Sequence, residues 1–187
     1  MHQEEINNAV ESLRSGGVIL YPTDTIWGLG ADATNPGAVQ RVLDIKERDD
    51  NMGLIVLVER DSRLNRYVDE VPEMAWDLID LAEEPLTIIY PQGRELAAKV
   101  CAPDGSVAIR MVRDEFCERL ISKLNRPLIS TSANLSGQRP PISFEDIAPE
   151  VLEGVDYTVN LRQSEPLSNR PSSIIKLDLD GTIKIVR

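Results

Sequence analysis

Three short stretches of this sequence carry more polar and charged side chains than a connecting loop requires. They are YPTDTIWGLGADA at residues 21–33, DIKERDDNMGL at residues 44–54 and PLISTSANLSG at residues 127–137. Each adjoins an apolar run typical of a buried strand or helix, so their polar groups would collect at the ends of elements. Hydroxyls, amides and cations gathered in this way suit the recognition of phosphate or carboxylate groups.

The second stretch places two cations at the end of a predicted helix. Lys46 lies in the last turn, where a cation interacts favourably with the helix dipole, and Arg48 follows two residues later. Residues two apart do not share a helix face, so both can reach one ligand only if the helix ends between them. An ordinary solvated helix end is the alternative interpretation.

The third stretch and the strand SVAIR at residues 106–110 predict hydroxyl and guanidinium groups on strand faces. Ser130 and Ser132 alternate onto one side of a strand, although a serine-rich turn with local caps is an alternative. Arg110 would share its strand face with Ser106. A buried arginine needs an anionic partner, and an Asp or Glu of the chain is an alternative to a ligand. Neither a P-loop sequence nor GxGxxG occurs.

The composition is that of a globular protein of 187 residues, with 42% hydrophobic and 27% charged residues. A net charge of −11 disfavours non-specific binding to nucleic acid but leaves room for a local basic pocket. The single histidine, His2, excludes a Ser-His-Asp triad, a histidine general base and a His-rich metal site.

The location predicted from the sequence is cytoplasmic. The apolar runs are too short to span a membrane, and the N-terminus lacks the apolar segment of a signal peptide. Cys101 and Cys117 show neither CxxC pairing nor zinc spacing, so reduced thiols are expected.

Alternating patterns predict a single α/β domain over residues 1–187 with a mixed sheet. Trp27 is placed in a polar turn that follows a strand at 17–21, and Asp180-Gly181 predicts a hairpin between the last two strands. The predicted helices are 4–14, 36–45, 72–82 and 114–124. The other predicted strands are 54–58, 86–90, 107–112, 128–131, 155–159, 173–177 and 182–186.

Taken together and in order, six segments resemble the YrdC-like family of threonylcarbamoyl-AMP synthases. They are YPTDTIWGLGADA, IKER....GLIVLV, PLTIIYP, VAIR, PLISTSANLSGQ.P and PSSIIKL, which run from residue 17 to about residue 177. One such motif is weak evidence, whereas six in the same order are specific. The resemblance implies a twisted mixed sheet with flanking helices and a large concave cavity.

The resemblance also implies a reaction and its participants. L-Threonine, bicarbonate or CO₂, and ATP would give threonylcarbamoyl-AMP and pyrophosphate, with water also formed from bicarbonate. Downstream tRNA threonylcarbamoyl transferase proteins would then pass the threonylcarbamoyl group to an adenosine of certain tRNAs, and weak direct contact with tRNA is left open. Mg²⁺ is expected on the ATP phosphates, held mostly by substrate oxygens and water, with no dedicated metal site.

Residue roles follow from the same resemblance. Thr25, Arg110 and Ser130 would bind threonine, with Arg110 on the carboxylate. Lys46 and Arg48 would clamp the triphosphate and act as the catalytic residues, since this chemistry needs alignment and charge neutralisation more than proton transfer. The other implied ATP contacts are Ser106, Ser132, Asn134 and Ser172. Gly28 and Gly30 would let the backbone approach the cavity closely.

The chain departs from the family pattern at several positions. Gly53 stands where many relatives have proline, Leu57 where a number have histidine, and Glu84 where glycine is usual. Asp114 and Glu115 follow VAIR where relatives often have His-Pro. None of these departures lies in the KxR, VAIR or SxSxN sets.

Two other functions are alternatives. One is an RNA-binding or translation-regulatory module that uses the same concave face without catalysis. A chain of net charge −11 with two Phe and four Tyr offers it little stacking or phosphate-binding surface. The other is a carbamoyl-handling relative such as the module of hydrogenase-maturation proteins, whose zinc-finger cysteines do not occur in this sequence.

Overall fold

A computed structural model describes residues 2–48, 54–165, 167 and 171–187. Its helices are α1 (Gln3–Arg14), α2 (Pro36–Ile45), α3 (Leu64–Tyr67), α4 (Met74–Leu81), α5 (Glu115–Leu124) and α6 (Pro149–Gly154). Its strands are β1 (Ile19–Pro22), β2 (Trp27–Asp32), β3 (Ile55–Val58), β4 (Leu86–Tyr90), β5 (Val107–Met111), β6 (Leu128–Ser132), β7 (Tyr157–Thr158), β8 (Ser173–Leu177) and β9 (Ile183–Ile185).

The strands form one sheet in the order β7-β1-β2-β6-β3-β5-β4-β8-β9. Three neighbouring pairs are parallel, β1 with β7, β3 with β5 and β4 with β8, and the other described pairs are antiparallel. The predicted α/β domain with a mixed sheet and flanking helices is therefore confirmed. The predicted hairpin between β8 and β9 is also confirmed, with Gly181 at φ 85° in its turn.

Side-chain caps decide where two of the helices begin. α2 starts after Asn35, whose Oδ1 accepts from the amides of Gly37 and Ala38 at 3.0 and 3.2 Å. α5 starts after Asp114, whose carboxylate accepts from the Cys117 amide at 3.0 Å and pairs with Arg162 at 2.7 Å. The family departure at Asp114 is thus an N-cap.

Two apolar clusters cover the opposite faces of the sheet. On one face, α1 and α5 pack against residues such as Ile19, Leu57 and Leu128. On the other face, residues of α2 such as Val39 pack against Val56 and other strand residues. The face that carries α1 and α5 continues across β5, β4 and β8, and there it forms the floor of the cavity described below. No helix in the described part of the chain is long and apolar enough to cross a membrane.

The placement of Trp27 in a polar turn is wrong. Residues 27–32 form β2, between β1 and β6, and the turn is limited to residues 23–26. Trp27 is fully buried, with its ring centroid 5.1 Å from that of Phe144. The sequence WGLGAD has weak strand propensity because glycine and aspartate are depleted in strands. Pairing on both sides, which no local pattern reports, makes it a strand.

Other differences are smaller. The strand predicted at 155–159 contains only Tyr157 and Thr158, and α3 and α6 were not predicted. Three short 3₁₀ helices were also missed, at Asp61–Arg63, Ala98–Val100 and Phe144–Asp146. The remaining predicted elements occur with ends shifted by one or two residues.

Candidate active site

The register of the sheet brings several strands together around one concavity. Residues paired across neighbouring strands point to the same face, and the paired residues here are Gly28 with Ser132, Ile55 with Ser130, Leu57 with Arg110, and Ile89 with Ala108. They line a cavity of about 490 Å³. Its rim is formed by Arg48, Pro140, Pro171, Ser172 and Arg187.

The residues predicted for the site divide into two groups. Those that line the cavity are Thr25, Arg48, Arg110, Ser130, Ser132 and Ser172. Lys46, Ser106 and Asn134 are buried and are not among its lining residues. The strand alternation expected for Ser130 and Ser132 is confirmed, because both lie in β6 and pair with Gly30 and Gly28 of β2.

Arg110 is the buried cation of the cavity, 4% exposed. Its Nη2 lies 3.0 Å from Asp24 Oδ1, and its Nη1 donates to Thr25 Oγ1 at 3.2 Å. The anionic partner that the sequence left open is therefore Asp24. Burial raises the pKa of the Asp24 carboxyl, and the charge of Arg110 opposes this rise. Within the described residues Arg110 Nε has no acceptor, which leaves a buried donor for an incoming oxygen.

The turn between β1 and β2 determines what Thr25 can offer a ligand. The Thr23 hydroxyl donates to the Ile26 carbonyl at 2.7 Å and lies 2.9 Å from Thr25 Oγ1. Because the single hydroxyl proton of Thr23 goes to a carbonyl, Thr25 is the donor in the threonine pair. Thr25 Oγ1 also accepts from Arg110. The Thr25 hydroxyl is thus held at the cavity wall between Thr23 and Arg110.

Ser130 has the complementary polarity. Tyr21, which is fully buried, donates its phenolic proton to Ser130 Oγ at 2.9 Å. Burial raises the pKa of Tyr21, so the phenol stays protonated and remains a donor. Ser130 can therefore donate its own proton into the cavity. Tyr21 was missed in the sequence, although it directly precedes the PTDT segment.

The end of α2 separates the two cations of the KxR segment. Arg48 N–H donates to the Leu43 carbonyl at 2.9 Å and Glu47 N–H to the Asp44 carbonyl at 3.0 Å, with Glu47 at φ 53°. This is a Schellman ending with a left-handed residue at Glu47. α2 thus ends at Ile45, with Lys46 as its C-cap and Arg48 beyond it. Arg48 lines the cavity, whereas Lys46 turns inward and donates to the carbonyls of Ser132 and Asn134, each at 2.7 Å.

Ser106 and Asn134 make local contacts. Ser106 Oγ donates to Asp104 at 2.6 Å, and this bond with that of the Ser106 amide lowers the pKa of Asp104 to about 2. The side-chain amide of Asn134 donates through Nδ2 to the backbone carbonyls of Leu135 and Gln138. Asn134 Oδ1 is buried without a partner among the described residues. Both residues thus form local caps, and their roles toward ATP stay predictions.

The C-terminal side of the cavity contains a cation that the sequence analysis did not consider. Arg187 Nη2 donates to the Ser172 carbonyl at 3.1 Å, and the Ser172 hydroxyl lies 2.7 Å from Thr87 Oγ1. Arg187 comes after a strand whose sequence pattern is weak, so only the tertiary structure shows that this cation lines the cavity. Of the other family departures, Leu57 adds apolar surface to the cavity, and Gly53 lies outside the described residues.

Comparison with known proteins defines the class to which this fold and cavity belong. The family model of the Sua5, YciO and YrdC proteins, described as "Telomere recombination", matches residues 11–187. The chain therefore belongs to the Sua5/YciO/YrdC family.

Three relatives illustrate the match. A protein named threonylcarbamoyl-AMP synthase from Pseudoalteromonas translucida (strain TAC 125) is 33% identical over 185 residues, with 97% of each chain covered. The structure of P. abyssi Sua5 complexed with L-threonine is 28% identical with a TM-score of 0.81. The match covers 92% of this chain and 50% of that one, so this chain spans about half the Sua5 length. E. coli YciO is 28% identical with a TM-score of 0.84, covering 99% of this chain and 89% of that one.

Proposed function

We propose that this chain is a threonylcarbamoyl-AMP synthase, which condenses L-threonine, bicarbonate or CO₂, and ATP into threonylcarbamoyl-AMP and pyrophosphate, with water also released when bicarbonate supplies the carbon. One observation carries the proposal. Although the chain has a net charge of −11, the charged side chains among the described lining residues of the cavity are all arginines, Arg48, Arg110 and Arg187. Such a cavity is built for an anionic ligand, and the relatives named as synthases identify the chemistry.

Threonine is proposed to bind at the buried end of the cavity. Arg110 Nε would donate to the substrate carboxylate. Thr25, which lies beside Arg110, would contact the substrate nitrogen, and Ser130 would donate to the substrate hydroxyl. The solved complex of P. abyssi Sua5 with L-threonine supports an amino-acid site in this fold.

ATP is proposed to occupy the rim side. Arg48 and Arg187 would neutralise phosphate charge, and the hydroxyls of Ser132 and Ser172 would donate to the nucleotide. An oxygen of the carbamate, formed from threonine and CO₂, attacks the α-phosphorus while pyrophosphate leaves. This step depends on alignment and charge neutralisation, which the arginines provide, and needs no histidine.

Mg²⁺ is proposed to accompany the triphosphate. Among the described residues, no three His, Cys, Asp or Glu side chains are grouped closely enough to hold a metal ion. The described cavity wall instead offers hydroxyl groups such as that of Ser132. This donor set fits an ion held mainly by phosphate oxygens and water, and the ion would add charge neutralisation at the phosphates.

A cytoplasmic location and transfer of the product to tRNA-modifying proteins complete the proposal. The RNA-binding alternative has less support, because no aromatic ring is among the described residues that line the cavity, and stacking on aromatic rings is a main mode of single-stranded RNA recognition.

The decisive assay incubates the protein with ATP, L-threonine and bicarbonate. Mass spectrometry should detect threonylcarbamoyl-AMP, with an equal amount of pyrophosphate, and omission of any one substrate should abolish both. Arg48→Ala serves as the site control and should reduce both products. If ATP and threonine bind but neither product forms, the chain is a binding module.

The two glycines of β2 should respond differently to alanine. At Gly28 a new Cβ would lie 3.0 Å from Ser130 Oγ in the cavity wall, so Gly28→Ala should lower kcat/KM for threonine by about tenfold or more. At Gly30 it would lie 2.7 Å from the buried Tyr21 ring, so Gly30→Ala should cost ~1–3 kcal/mol of stability through overpacking.

Steady-state kinetics and urea unfolding distinguish these outcomes. Gly30→Ala changes the same strand and face and is the comparison for stability, because its new Cβ meets the ring of Tyr21, which donates to Ser130. An unchanged kcat/KM in Gly28→Ala would contradict the placement of threonine beside Ser130.

A further inference from the structure

Lys46 holds together the end of β6 and the residues that follow it. Its ammonium group donates to the Ser132 and Asn134 carbonyls, each at 2.7 Å, and its own carbonyl accepts from the Ser136 amide at 3.1 Å. One residue at the end of α2 thus bonds to three positions of the segment 132–136. The Ser132 carbonyl also accepts from the backbone N–H of Asn134 at 2.9 Å, so the segment is folded tightly around the ammonium group.

These contacts are incompatible with a direct phosphate ligand in this arrangement. Lys46 is 2% exposed and is not a lining residue of the cavity, whereas Arg48 is. Two of the three ammonium donors are already bound to carbonyls at short distance. The third donor could reach a phosphate oxygen only if the ammonium group faced the cavity, and Lys46 is not among the described residues that line it.

Burial of this ammonium group costs free energy, which suggests that its contacts serve the function of the site. A charge removed from water must be compensated by partners, and among the described residues Lys46 has carbonyl partners but no carboxylate within ion-pair distance. Burial lowers the pKa of Lys46 to about 8, with the charge of Arg48 acting in the same direction. An apolar side chain of similar length would avoid this cost.

We propose that Lys46 is a positioning residue, which acts on ATP through Ser132 and the segment 132–136 and does not bind phosphate itself. The proposal rests on the proposed function, because Ser132 is placed on the nucleotide there. Preorganised donors require support from neighbouring residues, and displacement of a donor by about 1 Å can cost two orders of magnitude in rate.

A double-mutant cycle tests the proposal with pyrophosphate release as the assay. Lys46→Met should lower kcat/KM for ATP by about 100-fold and Ser132→Ala by about 10-fold, with KM for threonine within about twofold of wild type. The double variant should be no worse than Lys46→Met by more than about twofold, since Lys46→Met already displaces the Ser132 donor together with the rest of the segment 132–136. Combining Lys46→Met with Arg48→Ala is the matched control, and these effects should multiply.

Multiplication of the Lys46 and Ser132 effects would overturn the proposal, as would strong coupling between Lys46 and Arg48. Wild-type protein without synthase activity would refute the proposed function instead, so the two failures are distinguishable. Thermal unfolding of each variant separates loss of positioning from loss of fold.

A second measurement needs no variant and covers the case in which Lys46→Met does not fold. In a crystal structure of the wild-type protein with a non-hydrolysable ATP analogue and Mg²⁺, Lys46 Nζ should keep its two carbonyl contacts and stay more than about 4 Å from every phosphate oxygen. A contact between Nζ and phosphate at hydrogen-bond distance would overturn the proposal.

Discussion

Arg110→Ala should reduce kcat/KM for threonine by about 1,000-fold or more and should also destabilise the fold. The activity loss follows from removal of the donor proposed for the substrate carboxylate, an interaction in a buried site where charged hydrogen bonds are strong. The stability loss, of order 1–3 kcal/mol, follows because Asp24 loses the cation 3.0 Å from its carboxylate. Kinetics and urea unfolding measure the two effects separately.

The pH dependence of this variant has a defined sign. Burial already raises the pKa of Asp24 and Arg110 opposes that rise, so the pKa should rise further without Arg110. The folded variant then takes up a proton at Asp24 at a higher pH than the unfolded chain does. Its stability deficit relative to wild type should therefore shrink as the pH falls toward the unfolded pKa of aspartate.

Two controls separate binding from folding. Adding Asp24→Asn to Arg110→Ala should recover stability and leave turnover lost. Arg113→Ala is the matched control. Arg113 lies just after β5, the strand that contains Arg110, and donates to the Ile79 and Ala82 carbonyls. It is not among the described residues that line the proposed substrate cavity. If Arg110→Ala retained threonine turnover, the carboxylate site would lie elsewhere.

Valine should be a far poorer substrate than threonine, with kcat/KM lower by about 1,000-fold or more. The two amino acids have nearly the same shape, but valine leaves the Ser130 hydroxyl without a substrate hydroxyl to bind. A site built to bind a hydroxyl rejects the analogue that lacks it by up to about 10⁴–10⁵. Serine keeps the hydroxyl and loses only a methyl group, so its loss should be about 10–200-fold.

The variant Ser130→Ala tests which residue is responsible. Without the Ser130 hydroxyl, the difference between threonine and valine should fall to about tenfold or less, mainly through slower turnover of threonine. The discrimination is measured as the ratio of kcat/KM values in the pyrophosphate assay. Equal turnover of valine and threonine by wild type would show that the hydroxyl is not recognised in this cavity.

Much of the secondary structure was predictable because its signals are local. Asn35 before Pro36 and Asp114 before α5 are N-cap signals that act within three residues, and the structure places helix starts directly after both. The spacing of Lys46 and Arg48 required a helix end between them only if both were to reach one ligand, and α2 ends at Ile45 with Lys46 as its C-cap. β2 was missed because its residues have weak strand propensity, and two neighbouring strands supply the hydrogen bonds that stabilise it.

The candidate site divides in the same way. By itself the sequence determined most of the element pattern, the family motifs and six of the side chains that line the cavity, since strand alternation already assigns Ser130 and Ser132 to one face. Only the tertiary structure decided that Arg110 meets Asp24 and Thr25, and that Lys46 binds the end of β6. The physical reason is distance along the chain. Lys46 and Ser132 are 86 residues apart, and Arg110 and Thr25 are 85 residues apart. Strand register and helix packing determine which of these distant groups meet, and local propensities do not encode either of them.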